Sequence, residues 1–377
     1  MKRRKPDFWL ILVIFLLVGF GLIMVFSTSY YKGLVDYQNS YYFFQKQLIF
    51  TGVGFLAFFI AINIPYTFYR KHIGKFLLLT VPLLISVFFL AKEINGSQRW
   101  LVFGPISVQP SEIAKIVMII YTASIMVKKQ SVMNQFSKAL FPPLVVIGFI
   151  CGLLLAQPHY SGMMIVLTTC LAIIFCSGAR VRHLFGMFAT IIPVALGVLF
   201  IKDYRIDRII AIWDPFKYAL SEGMQTVYSL YAIGPGGLTG AGLGNSIQKL
   251  DYLPEAHTDF IFSIIAEELG FVGGLFMILL FLTLIVRGIL IAARAPDQFG
   301  TLLGVGIVTL IGIEAVFNLG VVTALLPATG IPLPFISYGG SALIIKLFAM
   351  GMLLNISRYS QPKKANTNTA KETPINT

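Results

Sequence analysis

Along the chain, apolar runs of about the 20 residues that cross a bilayer as a helix alternate with polar connections. They lie near 8–27, 46–63, 74–91, 110–127, 139–156, 161–178, 184–201, 258–287, 301–322 and 341–357. This pattern predicts an all-α, polytopic integral membrane protein with about ten transmembrane helices. A long extracellular loop, 202–257, precedes the eighth, and an even number of spans returns both ends to one side. The first run is too long for a signal-peptide core and is followed by no small-x-small cleavage site.

Basic residues orient the spans. One side carries Lys2, Arg3, Arg4, Lys5, Arg70, Lys71, Lys75, Lys128, Lys129, Lys138, Arg180, Arg182, Arg287, Arg294 and Arg358, while the short loops opposite carry Lys32, Lys46, Lys92 and Arg99. Both termini are therefore expected in the cytoplasm. Composition agrees: of 377 residues, 57% are hydrophobic and 12% charged, about half the charge of a soluble domain. A net charge of +13 would suit nucleic acid, but the placement of the basic residues explains most of it, so no nucleic-acid partner is expected. Cys151, Cys170 and Cys176 lie in apolar runs and are expected to pack rather than to bridge or bind zinc. Residues 1–360 form one transmembrane domain on this reading, and the polar, unpatterned 361–377 a disordered cytoplasmic tail.

Three outward segments break the apolar pattern. Ile94–Ser111 leads into the fourth span through Pro110, at a helix start. The 202–257 loop is far longer than ordinary connections; Met224–Ile233 within it has a helical pattern, and the glycine-rich Gly234–Gly244 matches no nucleotide loop and is expected as a re-entrant turn. Pro327–Gly340 cannot continue a helix, and irregular backbone near membrane depth needs cover from protein or a wet cavity.

The densest chemistry lies in Tyr252–Gly274, where Glu255, His257, Thr258 and Asp259 stand at a bilayer boundary. On a helical wheel Asp259, Ser263, Ala266, Gly270, Gly273 and Gly274 share one face, with Gly270 and Gly274 as a small-xxx-small pair. Asp259 is either a helix N-cap or a functional carboxylate. Glu112 and Lys115, spaced i, i+3, can pair inside the fourth span. Glu314 and Lys346 fall within about 4–5 Å of the same depth, so they are expected to bridge the ninth and tenth spans, with Asn318 a further polar contact there. Arg99, beside the interfacial Trp100, suits an anionic ligand. His159 has no second ligand at metal spacing.

With these segments placed, the sequence resembles the SEDS family (shape, elongation, division and sporulation). The matching stretches are NGSQRW at 95–100, QPSEIAK at 109–115, YSLYAIGPGGLTGAGLGNS at 228–246, LPEAHTDFIFSIIAEELG at 253–270 and GVVTALLPATGIPLPFISYGG at 320–340. The resemblance implies a peptidoglycan glycosyltransferase that polymerises lipid II on the outer face of the bacterial cytoplasmic membrane. It implies a catalytic Asp259 and substrate-binding Arg99, Gln109, Glu112, Lys115, His257, Thr258, Ser337, Gly339 and Gly340. The partners it implies are lipid II, undecaprenyl-pyrophosphate-linked glycan, a class B penicillin-binding protein (a transpeptidase), other divisome proteins and membrane lipids. No tightly bound cofactor is expected and no metal ligand set is defined; Mg²⁺ or Mn²⁺ would come with the substrate pyrophosphate. Two positions depart from the family: Gln157-Pro158-His159 stands where an acidic residue usually follows QP, and Ala342 where a second serine usually follows Ser341. Joining the 4-hydroxyl of GlcNAc to C1 of MurNAc with inversion needs one general base and cations at the departing pyrophosphate, for which Arg99 and Lys115 are the expected groups. The alternatives are a lipid II flippase, for which no inverted repeat is evident, and a membrane scaffold for a transpeptidase.

Overall fold

A computed structural model of the chain describes residues 4–94, 97–103, 106–180 and 210–359, with isolated positions between 182 and 207. The seventh apolar run, 184–201, lies almost wholly outside the described residues, and so does the tail 361–377. The other nine runs are all helical. They form α1 (Phe8–Tyr37), α2 (Tyr42–Asn63), α3 (Tyr66–Leu90), α4 (Pro110–Lys128), α6 (Phe141–Ala156), α7 (Tyr160–Cys176), α9 (Ile261–Ala293), α10 (Gln298–Val322) and α11 (Gly340–Ser357). A single turn, α5 (Phe136–Ala139), precedes α6, and the helical segment expected in the long loop is α8 (Met224–Ile233). Seven of the nine are long and apolar enough to span a membrane, and α6 and α7 are shorter apolar helices.

One segment adds strands to this helical protein. Between α3 and α4 the chain makes an antiparallel meander of β1 (Lys92–Ile94), β2 (Ser97–Phe103) and β3 (Ile106–Val108), with Leu101 opposite Val108. The meander hands over to α4 at Pro110, whose missing N–H costs nothing in a first turn. The backbone N–H of Gln109 donates to Ser341 Oγ at 3.1 Å, fastening the meander to the start of α11.

The helices pack closely where small residues let backbones approach. Gly351 of α11 lies against the Phe58 carbonyl of α2, and Gly304 of α10 against Ala292 of α9. The two ends of the described chain meet at the end of the bundle away from β1–β3. There the Arg4 N–H donates to the Arg358 carbonyl at 2.9 Å, and Asp7 caps α1 while pairing with Arg287. Cys151 and Cys170 are buried as expected, but Cys176, in the last turn of α7, is exposed.

Two expectations about α9 are corrected. The helix starts at Ile261 with Phe260 at its N-cap and no side-chain cap, so Asp259 stands in the preceding turn and caps nothing. The helix is also broken at Gly270 (φ 64°, ψ −160°), so residues 259–274 do not share one face and Gly270 pairs with no Gly274. The glycine-rich loop after α8 fills the break. Ala241 and Gly242 N–H groups donate to the Glu267 and Glu268 carbonyls, each at 2.9 Å, while Phe271 and Val272 donate to the Gly237 and Leu238 carbonyls at 2.9 and 3.1 Å. The loop thus supplies the partners that the interrupted helix ladder loses. A Cβ on Gly270 would come within 2.6 Å of the Leu238 carbonyl carbon, in a backbone region open essentially to glycine.

Gly270→Ala should therefore lower stability by more than the ~1–3 kcal/mol of backbone strain alone. Gly274→Ala, which meets only the Phe262 ring at 3.4 Å, should be tolerated. Thermal unfolding of the two purified variants in detergent checks the contrast.

Candidate active site

Asp259 lies where α9, α10 and the 327–340 segment meet. Its backbone carbonyl accepts from Asn318 Nδ2 of α10 at 2.7 Å, and the same amide group donates to the Ile331 carbonyl at 2.8 Å. Gly330, at φ 68°, brings bare backbone over the carboxylate: a Cβ there would sit 3.5 Å from Asp259 Oδ2. Among the described residues no salt bridge reaches that carboxylate. Burial, and then the nearby Glu255 carboxylate, raise its pKa to about 7. Glu255 is itself held, accepting from Thr258 Oγ1 at 2.6 Å in a left-handed backbone conformation (φ 56°). His257 packs between Phe43 and Tyr338, with ring centroids 4.9 and 5.7 Å away, and burial lowers its pKa to about 4, which keeps it neutral. A polar cavity of about 300 Å³ opens on the other side of this turn, lined by Thr28, Lys32, Asp251, Glu255 and His257 among others.

Beneath Asn318, one turn down α10, four charges are buried together. Lys115 Nζ lies 2.6 Å from Glu112 Oε1 and 2.5 Å from Glu314 Oε1, and Lys346 Nζ lies 3.1 Å from Glu314 Oε2. Both expected pairs form, and Lys115 joins them into one neutral chain across α4, α10 and α11. Lys115 is thus shared by two carboxylates inside the protein.

The 327–340 segment is held mainly by its own polar groups and by α2. Ser337 Oγ accepts from the Leu333 N–H at 2.8 Å, Gln47 Nε2 donates to the Ser337 carbonyl at 3.3 Å, and the Gly339 N–H donates to Gln47 Oε1 at 3.3 Å. Gly340 faces the Phe50 ring, which a Cβ would meet at 2.9 Å. The Tyr338 N–H donates to the His257 carbonyl at 2.9 Å, joining this segment to the Asp259 turn. Arg99, on β2, donates to the Pro158 carbonyl at the start of α7.

Residues 8–362 match the family model described as cell cycle protein, FtsW/RodA/SpoVE. The chain belongs to the FtsW/RodA/SpoVE family. This is the SEDS family of the sequence motifs. The chain is 41% identical to stage V sporulation protein E of Bacillus subtilis, over 96% of this chain and 99% of that protein. It is 40% identical to the probable peptidoglycan glycosyltransferase FtsW of the same organism, over 96% and 93%. Among solved structures it is similar, with a TM-score of 0.76 and 28% identity over 94% of this chain and 98% of the other, to a chain of a structure described as "Structural coordination of polymerization and crosslinking by a peptidoglycan synthase complex". It is similar with a TM-score of 0.69 and 28% identity to Thermus thermophilus rod shape determining protein RodA, over 94% and 98%.

Ser341 receives the Gln109 N–H, while Ala342 beside it is buried. His159 is buried at the N-cap of α7. A second buried cluster escaped the sequence reading. Glu268 accepts from Ser27 Oγ at 2.7 Å and from Lys249 Nζ at 2.7 Å, and Glu267 accepts from Ser246 Oγ at 2.5 Å and the Ile247 N–H at 2.8 Å. These carboxylates staple the long loop to the broken helix. Their signal was visible as two adjacent glutamates inside an apolar run, which is costly unless partners are supplied.

Lys346→Met leaves two carboxylates and one lysine buried, and should cost about 3–5 kcal/mol. Adding Glu314→Gln restores a neutral Glu112–Lys115 pair and should recover part of that loss in thermal unfolding. A double variant no more stable than Lys346→Met alone would show that the Glu314–Lys346 contact contributes nothing.

The raised pKa of Asp259 has the opposite sign to an ordinary ion-paired carboxylate. The folded protein holds this proton above the pH at which the unfolded chain releases it, so stability is lost as pH rises from about 4 through about 7. Asp259→Asn should therefore unfold no earlier than wild type at pH 8. Earlier unfolding would mean that the carboxylate is a structural group.

Proposed function

We propose that the chain is a peptidoglycan glycosyltransferase, polymerising lipid II on the outer face of the cytoplasmic membrane with Asp259 as general base. One observation carries the reading: a carboxylate that caps no helix, is paired with no cation among the described residues and is poised near neutrality, at the convergent end of a FtsW/RodA/SpoVE-family bundle. A base poised near the working pH combines a useful ionised fraction with a useful affinity for the proton.

In the reaction, the 4-hydroxyl of an incoming GlcNAc attacks C1 of a lipid-linked MurNAc. The bond from C1 to the pyrophosphate oxygen breaks, the new C1–O4 bond forms with inversion, and the hydroxyl proton passes to Asp259. Such a base contributes ~10²- to 10⁴-fold. The half-buried setting of Asp259 beside the bare Gly330 backbone leaves the carboxylate within reach of the substrate hydroxyl. Of the two expected cations, Arg99 is the group suited to the departing pyrophosphate, since Lys115 is already shared between two glutamates. Among the described residues no three His, Cys, Asp or Glu side chains converge as a metal cage. A Mg²⁺ or Mn²⁺ ion carried by the substrate would therefore take most of its ligands from the phosphates. The basic-residue pattern supports cytoplasmic termini and an extracellular site. The likeness to a chain of a peptidoglycan synthase complex supports a transpeptidase of the class B penicillin-binding type as partner.

Purified protein supplied with lipid II should make glycan strands, measured as product length. Asp259→Asn should reduce the rate by at least about 10²-fold while inserting normally. For the wild type, kcat/KM should rise with pH through about 7 as the carboxylate ionises. Movement of intact lipid II across vesicles without strand synthesis would favour a flippase, and wild-type rates from Asp259→Asn would remove the base.

A further inference from the structure

Polar atoms without partners gather at the N-terminal end of α7. His159 is 7% exposed and its Nδ1 has no hydrogen-bond partner among the described residues; the buried Oγ1 of Thr329 also lacks one. Buried polar groups are nearly always paired, so such atoms ask for a missing partner. The mechanism above uses neither.

The surroundings specify what that partner is. α7 is 17 residues long and has no side-chain cap, so its first N–H groups carry the positive end of the helix dipole. The His159 ring folds back over this first turn, and a Cβ on Gly162 would lie 2.6 Å from its Cε1. Arg99 brings its guanidinium to the Pro158 carbonyl, one residue before the histidine. Burial, then Arg99, then Lys115 lower the His159 pKa to about 3, so the ring is a neutral hydrogen-bonding group in a positive environment. Ser161 Oγ donates to the Thr329 carbonyl, and the next residue, Gly330, lies over Asp259. Helix N–H groups, a guanidinium and an unpartnered imidazole together match an oxyanion with several acceptor oxygens.

We propose that His159, the first turn of α7 and Arg99 form the receptor for the diphosphate of the polyprenyl-linked sugar, with the Thr329 hydroxyl at its rim. The proposal rests on the glycosyltransferase reading for the identity of the ligand, and places the leaving group one peptide unit from the residue that covers Asp259. His159 acts here as a binding residue. It exchanges no proton.

The test uses the full chain in detergent, with inorganic pyrophosphate as the probe in calorimetric titration. Wild type should bind it saturably. His159→Leu should bind roughly ten- to hundredfold more weakly, the range of a hydrogen bond to a charged group, without unfolding at lower temperature, because the native ring has an unpaired nitrogen to lose. His159→Asn, whose amide can stand near the Nδ1 position, should retain most of the affinity. Gly162→Ala, which displaces the ring without removing it, should weaken binding and covers the case in which His159→Leu does not fold. Undecaprenyl pyrophosphate should compete with the probe and phosphatidylglycerol micelles should not. Absence of saturable binding, wild-type affinity in His159→Leu or in Gly162→Ala, or equal competition by phosphatidylglycerol would each overturn the receptor. The binding assay needs no turnover. A protein that binds pyrophosphate through His159 and yet makes no strands from lipid II defeats the glycosyltransferase reading alone. One that makes strands with an unchanged KM in His159→Leu defeats the receptor alone.

Discussion

The constraint on which this molecule depends is the need to neutralise charge inside an apolar bundle. Glu112, Lys115, Glu314 and Lys346 are each at most 7% exposed by side chain, where an unpaired charge is expensive. Pairing all four brings α4, α10 and α11 into one register. That register carries upward. One turn above Glu314, Asn318 holds the backbone of both Asp259 and Ile331. Ahead of Glu112, Gln109 meets Ser341 at the start of α11. The position of the carboxylate at the site is thus set by pairs that never touch it.

The second device is the stitched break in α9. A continuous helix through residues 261–293 would have no use for the glycine-rich loop. A helix interrupted at Gly270 leaves carbonyl and amide groups open on both sides, and the loop supplies a partner for each of four of them. Glu267 and Glu268 then fix the loop from the side chains, through Ser246, Lys249 and Ser27. The long connection between α8 and α9 is therefore part of the packed structure, and its last turn, Glu255–Phe260, delivers Asp259 at a defined depth. Backbone held at positive φ at Asp251 and Glu255 shows that tertiary contacts, and not local preference, set this turn.

Asp259 gains its chemistry from the same packing. Desolvation penalises its charged form, and Glu255 adds to that penalty. The Gly330 backbone above it leaves room that any side chain would occupy. Neighbouring groups are kept from interfering: His257 is held neutral by burial between two aromatic rings, and the Lys115 ammonium is engaged by its two glutamates. The result is one proton acceptor near neutrality, set among groups whose charge states are fixed.

The sequence by itself determined the helices, because a run of about 20 apolar residues has few other fates in a bilayer. The described runs fold as helices and α8 has the bounds of its pattern. It also singled out Asp259 and paired Glu112 with Lys115 and Glu314 with Lys346, since charge within a span is rare enough to be conspicuous. Only the tertiary structure decided the rest. Helical periodicity placed Asp259 and Gly270 on one continuous face, but the helix starts two residues later and breaks at Gly270, because a loop more than 25 residues upstream in sequence competes for the same backbone groups. The meander at 92–108 shows little strand alternation against its apolar surroundings. Lys115 could be read with one partner but not with two, and the unpartnered Nδ1 of the buried His159 could not be read at all. Each of these depends on which distant atoms arrive at a given place, and a pattern of residues along one chain carries local preference and burial but not that arrival.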